Sequence, residues 1–287
     1  MKMNDLIKSI RTRSIIEKYG FRFNKSLGQN FLIDDLVLKT IIEAAEITKD
    51  DSVLEIGPGI GTLTLELSGN AGKVMAIEVD KNLIPILSDV LKDAGNVKLY
   101  EGDALKVNIK EAAGDFLNFP ITICANLPYY ITTPLITKFF KESIDVKNIV
   151  VMVQKEVAER MAAQPGGKDY GALSLLVQYY SKPRIVAKVP PHCFMPRPKV
   201  DSVVIKLEIN KRPPVEVEDL ELFFSIIRDS FNQRRKTLSN SLKSLKLSKE
   251  ELNTAFEKSG IDPIRRGETL SIEEFARVSN EVYNLRK

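Results

Sequence analysis

Val53-Leu54-Glu55-Ile56-Gly57-Pro58-Gly59-Ile60-Gly61 reads as a buried strand that runs into a glycine turn and then a helix. The apolar run has strand length and ends in residues that let backbone approach a ligand closely. The glycine spacing is Gly-x-Gly-x-Gly. It departs from the dinucleotide fingerprint Gly-x-Gly-x-x-Gly, because Thr62 stands where the third glycine is required. A plain tight strand–helix connection is the alternative to a ligand-binding turn.

Outward from this stretch, residues 50 to about 210 alternate short β-branched runs with helical patterns. Strands are expected at Ser52–Ile56, Lys73–Val79, Val97–Tyr100, Ile121–Ala125, Asn148–Val153, Arg184–Val189 and Ser202–Ile209. Between the first two, Ile60, Leu63 and Leu67 recur at helical spacing. The alternation predicts an α/β fold with a mostly parallel sheet covered on both faces. A Pro-rich loop from Pro190 to Pro198, without helical pattern, joins the last two strands and suits an antiparallel final pair, so that the last strand of the sheet is antiparallel. Lys211-Arg212-Pro213-Pro214 closes this region. Beyond it, Leu220, Phe223, Phe224, Ile227 and Phe231 fall on one helical face, and Phe275, Val278, Val282 and Leu285 stripe a last helix. Ser248 with Glu251 and Ser271 with Glu274 read as capping boxes, and Gly260 before Pro263 as a helix stop. The expected organisation is a basic arm over 1–24, an α/β domain over 25–210 and a smaller all-α domain over 211–287.

The 287 residues carry 42 Lys plus Arg against 38 Asp plus Glu, an excess of +4 set in a composition that is 44% hydrophobic and 28% charged. That balance excludes collagen-like, disordered and disulfide-scaffold classes. The charge is unevenly placed: residues 1–25 are net +5 and 228–249 net +6, whereas 26–227 are net −5 and 250–287 net −2. Two basic segments on an acidic body fit a polyanionic partner or two solvated faces, and charge counting does not choose. Cys124 and Cys193 are the only thiols and His192 the only imidazole. A disulfide framework and a usual zinc site lack the residues, so any catalysis runs mostly without His or Cys. No apolar stretch approaches the ~20 residues of a membrane span, and the N-terminus lacks a signal peptide's apolar run. A cytoplasmic monomer is expected.

Three further segments carry chemistry. Glu78, in Ile77-Glu78-Val79-Asp80, lies 21 positions after Gly57, where doubly wound sheets place a carboxylate on ribose hydroxyls; a solvated strand end is the alternative. Asp103, after Gly102, can accept from an exocyclic amine or simply close an Asx turn. Asn126-Leu127-Pro128-Tyr129-Tyr130 crowds an amide, a rigid proline and aromatics at the end of the fourth strand. Asn126 can donate to and accept from a base edge, Pro128 fixes the backbone so that carbonyls can be aimed, and Tyr129 offers a stacking face. Aromatics tucked into the core are the alternative, one that suits Tyr130 better than Tyr129.

Asn126-Leu127-Pro128-Tyr129 resembles the Asn/Asp-Pro-Pro-Tyr signature of amino-directed adenine methyltransferases. Lys25-Ser26-Leu27-Gly28-Gln29-Asn30-Phe31-Leu32 and Phe194-Met195-Pro196-Arg197-Pro198-Lys199-Val200-Asp201-Ser202 resemble motifs of the ribosomal RNA adenine dimethyltransferases. Glu55–Gly61, Glu78, Asp103, Gln154-Lys155-Glu156-Val157-Ala158 and Phe231-Asn232-Gln233-Arg234-Arg235-Lys236-Thr237-Leu238 complete the set in the family's order. The resemblance spans nearly the whole chain beyond the arm and is nearest to the small-subunit (16S) branch. Tyr130 departs from it, standing where close relatives often carry Asn.

The resemblance implies a Rossmann-like class I methyltransferase domain that binds S-adenosylmethionine and dimethylates two adjacent adenosines at N6 in the last hairpin loop of small-subunit rRNA, within the assembling 30S subunit. It places Gly57 and Gly59 at the cofactor's methionine end, Glu78 on its ribose, Asp103 on its adenine, and Asn30, Leu32 and Asn126 in further cofactor contacts. Asn126 with the backbone of Leu127 or Pro128 holds the target amine, and Tyr129 and Phe194 stack on the extruded base. Arg234, Arg235 and Lys236, expected to open the second C-terminal helix, grip RNA phosphates; an intradomain salt bridge is the alternative for Arg234. No metal is implied. Competing readings are the large-subunit, macrolide-resistance type of dimethyltransferase, a non-catalytic rRNA-binding assembly factor or mitochondrial transcription-factor relative, and a nicotinamide oxidoreductase.

Overall fold

The computed structural model describes residues 14–287 other than Arg22, Lys25, Ser26, Ser143 and Arg234. Most of the expected basic arm, the first two residues of the Lys25–Leu32 motif and Arg234 therefore lie outside the described residues.

The strands are β1 (Phe31–Leu32), β2 (Ser52–Ile56), β3 (Lys73–Glu78), β4 (Val97–Glu101), β5 (Ile121–Asn126), β6 (Val146–Gln154), β7 (Ser181–Val189), β8 (Phe194–Met195) and β9 (Ser202–Ile209). From residue 31 onward the α-helices among the described residues are α1 (Asp35–Ala45), α2 (Thr62–Asn70), α3 (Ile84–Val90), α4 (Ile109–Ala113), α5 (Thr132–Lys141), α6 (Lys155–Ala162), α7 (Ala172–Tyr180), α8 (Leu220–Asn232), α9 (Leu238–Ser241), α10 (Lys249–Ser259) and α11 (Ile272–Arg286).

Seven strands form one sheet in the order β4-β3-β2-β5-β6-β9-β7. The pairs β2–β3, β2–β5, β3–β4 and β5–β6 are parallel, as the alternation predicts, and β9 runs antiparallel to β6, with β7 on its other side. β2 is buried along its whole length, which is why it reads as a continuous apolar run rather than an alternating one. The register decides where function can sit. Ile56 pairs with Ile77 on one side and Ala125 on the other, Glu78 pairs with Glu101, and Asn126 with Met152. The carboxyl ends of β2, β3, β4 and β5 are thus level, and the residues that follow them emerge along one edge.

One face of the sheet is covered by α1, whose Val37, Leu38, Ile41 and Ala45 share a buried cluster with Val53, Leu67, Val150 and Val204. Asp34 caps α1 by accepting from the Leu36 and Val37 amides, and the Cys193 thiol donates to the same carboxylate at 3.4 Å. Cys193 is therefore a buried structural thiol, while His192 is exposed in the turn before it.

The chain divides into two compact units, Met1–Ala158 with Arg184–Ile209, and Glu159–Pro183 with Asn210–Lys287. Sequence reading places a single crossing near 211; the structure adds Glu159–Pro183 to the second unit. The cause is apolar: Tyr170, Leu175 and Tyr179 join the cluster built from Leu222, Phe223, Phe256 and Phe275. Both capping boxes are present, at Ser248–Glu251 and Ser271–Glu274, and Gly260 ends α10 at φ 69°. The face of α8 differs from the expected stripe. Leu222, Phe223, Ile226 and Ile227 are its buried apolar residues, and Leu220, first after the Asp219 cap, is 39% exposed. Arg235 and Lys236 do not open a helix; they lie exposed in the turn before Thr237 and α9.

Candidate active site at the carboxyl ends of the parallel strands

A cavity of about 270 Å³ opens at the level strand ends. Gly57, Gly59, Glu78, Asp103, Asn126, Leu127, Pro128 and Tyr129 line it, together with Asn30 and Leu32 from the segment before α1. One edge of the sheet thus gathers residues spread over a hundred positions of sequence. Its described lining contains the carboxylates Glu55, Glu78 and Asp103 and no Lys, Arg or His.

The glycine turn does two different tasks. Gly57, at φ 68°, has nothing within 4 Å of where a Cβ would stand, and it keeps the floor of the cavity open. At Gly59, φ 60°, a Cβ would lie 2.9 Å from the Phe31 ring, so glycine there lets the N-terminal segment close onto the turn.

Glu78 is 4% exposed, with Oε1 accepting from the Asp80 amide at 2.8 Å and Oε2 from the Gly59 amide at 3.3 Å. Burial nevertheless pushes its carboxyl above the usual range. Asp103 closes the Asx turn: Oδ1 accepts from the Leu105 amide at 3.0 Å, while Oδ2 lies 3.6 Å from Lys106 Nζ and the side chain is 36% exposed.

Asn126 Nδ2 donates to the Asn30 carbonyl at 2.8 Å. A carbonyl only accepts, so this bond orients the amide and turns Oδ1 into the acceptor presented to a ligand. Asn30 in turn donates from Nδ2 to the Gly28 carbonyl at 3.0 Å. The Pro128 carbonyl is already engaged by the Ile131 amide and the Thr132 hydroxyl, both at 3.2 Å, which leaves the Leu127 carbonyl as the backbone acceptor beside Asn126. Tyr129 is half-buried, its hydroxyl sharing a 2.8 Å hydrogen bond with Ser202 Oγ, so β9 holds the ring against the cavity wall. Tyr130 is not tucked into the core; it is 57% exposed and also lines the cavity.

Phe194 is the site residue that the structure places elsewhere. It is 2% exposed, pairs with Leu32 in the β1–β8 ribbon, packs among Leu32, Val37 and Val189, and does not line the cavity. The ribbon explains this: antiparallel pairing of Phe31–Leu32 with Phe194–Met195 turns the Phe194 ring into the core behind Leu32.

Sequence reading gives Glu55 no role of its own, although a lone carboxylate in an apolar parallel strand is a signal in itself. It is 1% exposed and lines the cavity, and Oε2 has no partner among the described residues. Burial pushes its carboxyl up to about 8, with Glu78 adding to the effect. The ordinary value is 4.5, so the folded state loses stability as pH rises from there through 8 and keeps it fully below 4.5. Thermal melts without added ligand should show this fall, at up to about 1.4 kcal/mol per pH unit. Glu55→Gln should flatten it, and an unchanged pH slope would show that Glu55 is already ionised.

A family model described as ribosomal RNA adenine dimethylase matches residues 20–284. The chain belongs to the ribosomal RNA adenine dimethylase family. Members of this family are S-adenosylmethionine-dependent methyltransferases, and this one is an enzyme of that class. The chain is 54% identical over 277 residues to the ribosomal RNA small subunit methyltransferase A of Clostridium acetobutylicum, an alignment covering 96% of this chain and all of that one. It is also 54% identical to the protein of the same name from Clostridium perfringens, over 98% of each chain. Among solved structures it is similar to a dimethyladenosine transferase from Plasmodium falciparum, with TM-score 0.74, 30% identity, and coverage of 86% of this chain and 95% of that one. The 23S rRNA methyltransferase ErmE is also similar, with TM-score 0.67, 25% identity, and coverage of 88% and 100%.

The dimethylase cavity fits the family's cofactor on its own chemistry. Three carboxyl groups, one with a buried oxygen that has no partner among the described residues, and no basic side chain in the described lining suit a cationic ligand without phosphates, which would draw the proton off Glu55. A dinucleotide would set two phosphates against that acidic lining. Among the described residues, no cluster of His, Cys, Asp and Glu could hold a metal ion, and no helix is long and apolar enough to cross a membrane.

Proposed function

We propose that this dimethylase transfers methyl groups from S-adenosylmethionine to N6 of two adjacent adenosines in the terminal hairpin loop of small-subunit rRNA, acting as a cytoplasmic monomer on the assembling 30S subunit. The orientation of Asn126 carries the reading. Its amide nitrogen donates to the Asn30 carbonyl, so Oδ1 and the Leu127 carbonyl stand as two acceptors for the two hydrogens of an exocyclic amine in the first transfer, and one of them holds the single remaining hydrogen in the second. An amine held this way has its lone pair drawn out of the ring and aimed away from both acceptors. The same two oxygen dipoles stabilise positive charge developing on N6, and fixed placement supplies much of the remaining rate. S-adenosylmethionine, when bound, would supply an electrophilic methyl on a sulfonium, whose carbon–sulfur bond breaks to release a neutral thioether without an acid while N6 gives up one proton to solvent per transfer. No His or Cys is required, in keeping with one imidazole and two buried thiols.

Gly57, Gly59 and Glu55 hold the cationic methionine end, Glu78 the ribose, Asp103 the cofactor adenine, and Asn30 and Leu32 cover it. Tyr129 stacks on the extruded target base. With Phe194 buried behind Leu32, we assign Phe194 a supporting role instead. The exposed Arg235 and Lys236, with the neighbouring Arg234, contact RNA phosphates, a contribution that weakens as salt rises.

The small-subunit reading is favoured over the large-subunit one by the 54% identity to small-subunit methyltransferases, set against 25% to ErmE. Methyl transfer to unmethylated small-subunit particles and to naked large-subunit rRNA separates them. Nuclease digestion and mass spectrometry should find N6,N6-dimethyladenosine in the former alone; methylation of the latter alone would contradict the proposal.

A further inference from the structure

Gln29 sits between two parts of the molecule that the proposed reaction needs together. Its Oε1 accepts from the Asn24 amide at 2.7 Å, and its Nε2 donates to Asp80 Oδ2 at 2.7 Å. Asp80 is 5% exposed, its Oδ1 accepts from the Asn82 amide and side chain at 3.0 Å, and its own amide donates to Glu78 Oε1 at 2.8 Å. The other Glu78 oxygen takes the Gly59 amide, and Gly59 is the glycine on which Phe31 closes. A continuous path therefore runs from the segment carrying Asn30 and Leu32, through one amide side chain, to the carboxylate assigned to the ribose.

We infer that Gln29 is a positioning residue that couples the seating of segment 27–32 over the cavity to cofactor binding at Glu78. The inference rests on the functional reading above. Coupling of this kind is reciprocal: a cofactor that tightens on Glu78 tightens the segment, and a loosened segment weakens the cofactor by the same factor.

The bond pattern allows a swap. Gln29→Glu sets a carboxylate against that of Asp80. Gln29→Glu combined with Asp80→Asn restores a donor–acceptor pair in reversed direction, and the oxygen of the introduced amide remains available to Asn82. The measurements are calorimetric titration of S-adenosylmethionine and hydrogen exchange of the amides of 27–32, on the full chain well below each variant's melting temperature. Gln29→Glu should weaken cofactor binding by about 10- to 100-fold and abolish the cofactor-dependent protection of 27–32. The double variant should return within about threefold of the unaltered protein and regain the protection. Cofactor affinity unchanged in Gln29→Glu, with or without a lower melting temperature, would overturn the inference and leave the functional reading intact, as would a folded double variant that regains nothing. An unaltered chain that fails to bind S-adenosylmethionine would overturn both.

Discussion

Asn126→Ala is expected to lower the methyl-transfer rate at saturating cofactor by about 10²–10³-fold, the usual effect of removing one preorganised dipole from a reaction centre. The substitution takes away Oδ1, one of the two acceptors that draw the amine lone pair out of conjugation, and leaves the Leu127 carbonyl alone. It also frees the Asn30 carbonyl, because Asn126 Nδ2 is its donor at 2.8 Å. A smaller rise in the KM for cofactor should follow, through the loosened segment that carries Asn30. Fold stability should change little, since Asn126 is only partly buried at the end of β5. Single-turnover transfer to small-subunit particles, with a circular dichroism check on folding, measures the effect; a rate within about threefold of the unaltered enzyme would remove Asn126 from the chemistry.

Glu78→Ala should act on binding instead. The carboxylate accepts the Asp80 and Gly59 amides and, in the proposed complex, the ribose hydroxyls as well. Alanine leaves two amides without their acceptor and removes charge-assisted hydrogen bonds worth about 1.5–3 kcal/mol each. Cofactor affinity should fall by about 10²-fold or more, while transfer at saturating cofactor falls much less. Glu78→Gln, which keeps one acceptor oxygen, should lie between. Titration calorimetry reads the affinity, and a dissociation constant unaltered by Glu78→Ala would show that the ribose is held elsewhere.

The parts of the site that are legible in sequence share one physical origin. Gly57, Glu78 and Asn126 each follow or end a buried, largely apolar strand and Asp103 follows the partly buried β4, and parallel in-register strands bring such positions to one edge whatever their distance along the chain. The β1–β8 ribbon is different. Two-residue strands have no periodicity to detect, and their pairing across more than 160 positions is a tertiary fact. Hence Phe194, expected at the target base, is found in the core. Tyr130, for which a place in the core is the alternative reading, is exposed, because the turn at Tyr129–Ile131 directs successive side chains differently from a strand. Glu159–Pro183 joins the helical unit through Tyr170, Leu175 and Tyr179, apolar residues that serve equally well in either core. Glu55 and Gln29 read only as parts of motifs; burial and hydrogen-bond partners are what separate them from their neighbours.

The acidic, phosphate-averse lining of the cavity makes the cofactor itself the most direct question. Titration of the purified chain with S-adenosylmethionine and, separately, with NAD should give one saturable site for the first and no heat of binding for the second. Binding of NAD without S-adenosylmethionine would contradict the assignment of Glu55, Glu78 and Asp103 to a sulfonium cofactor and the methyl-transfer chemistry built on it.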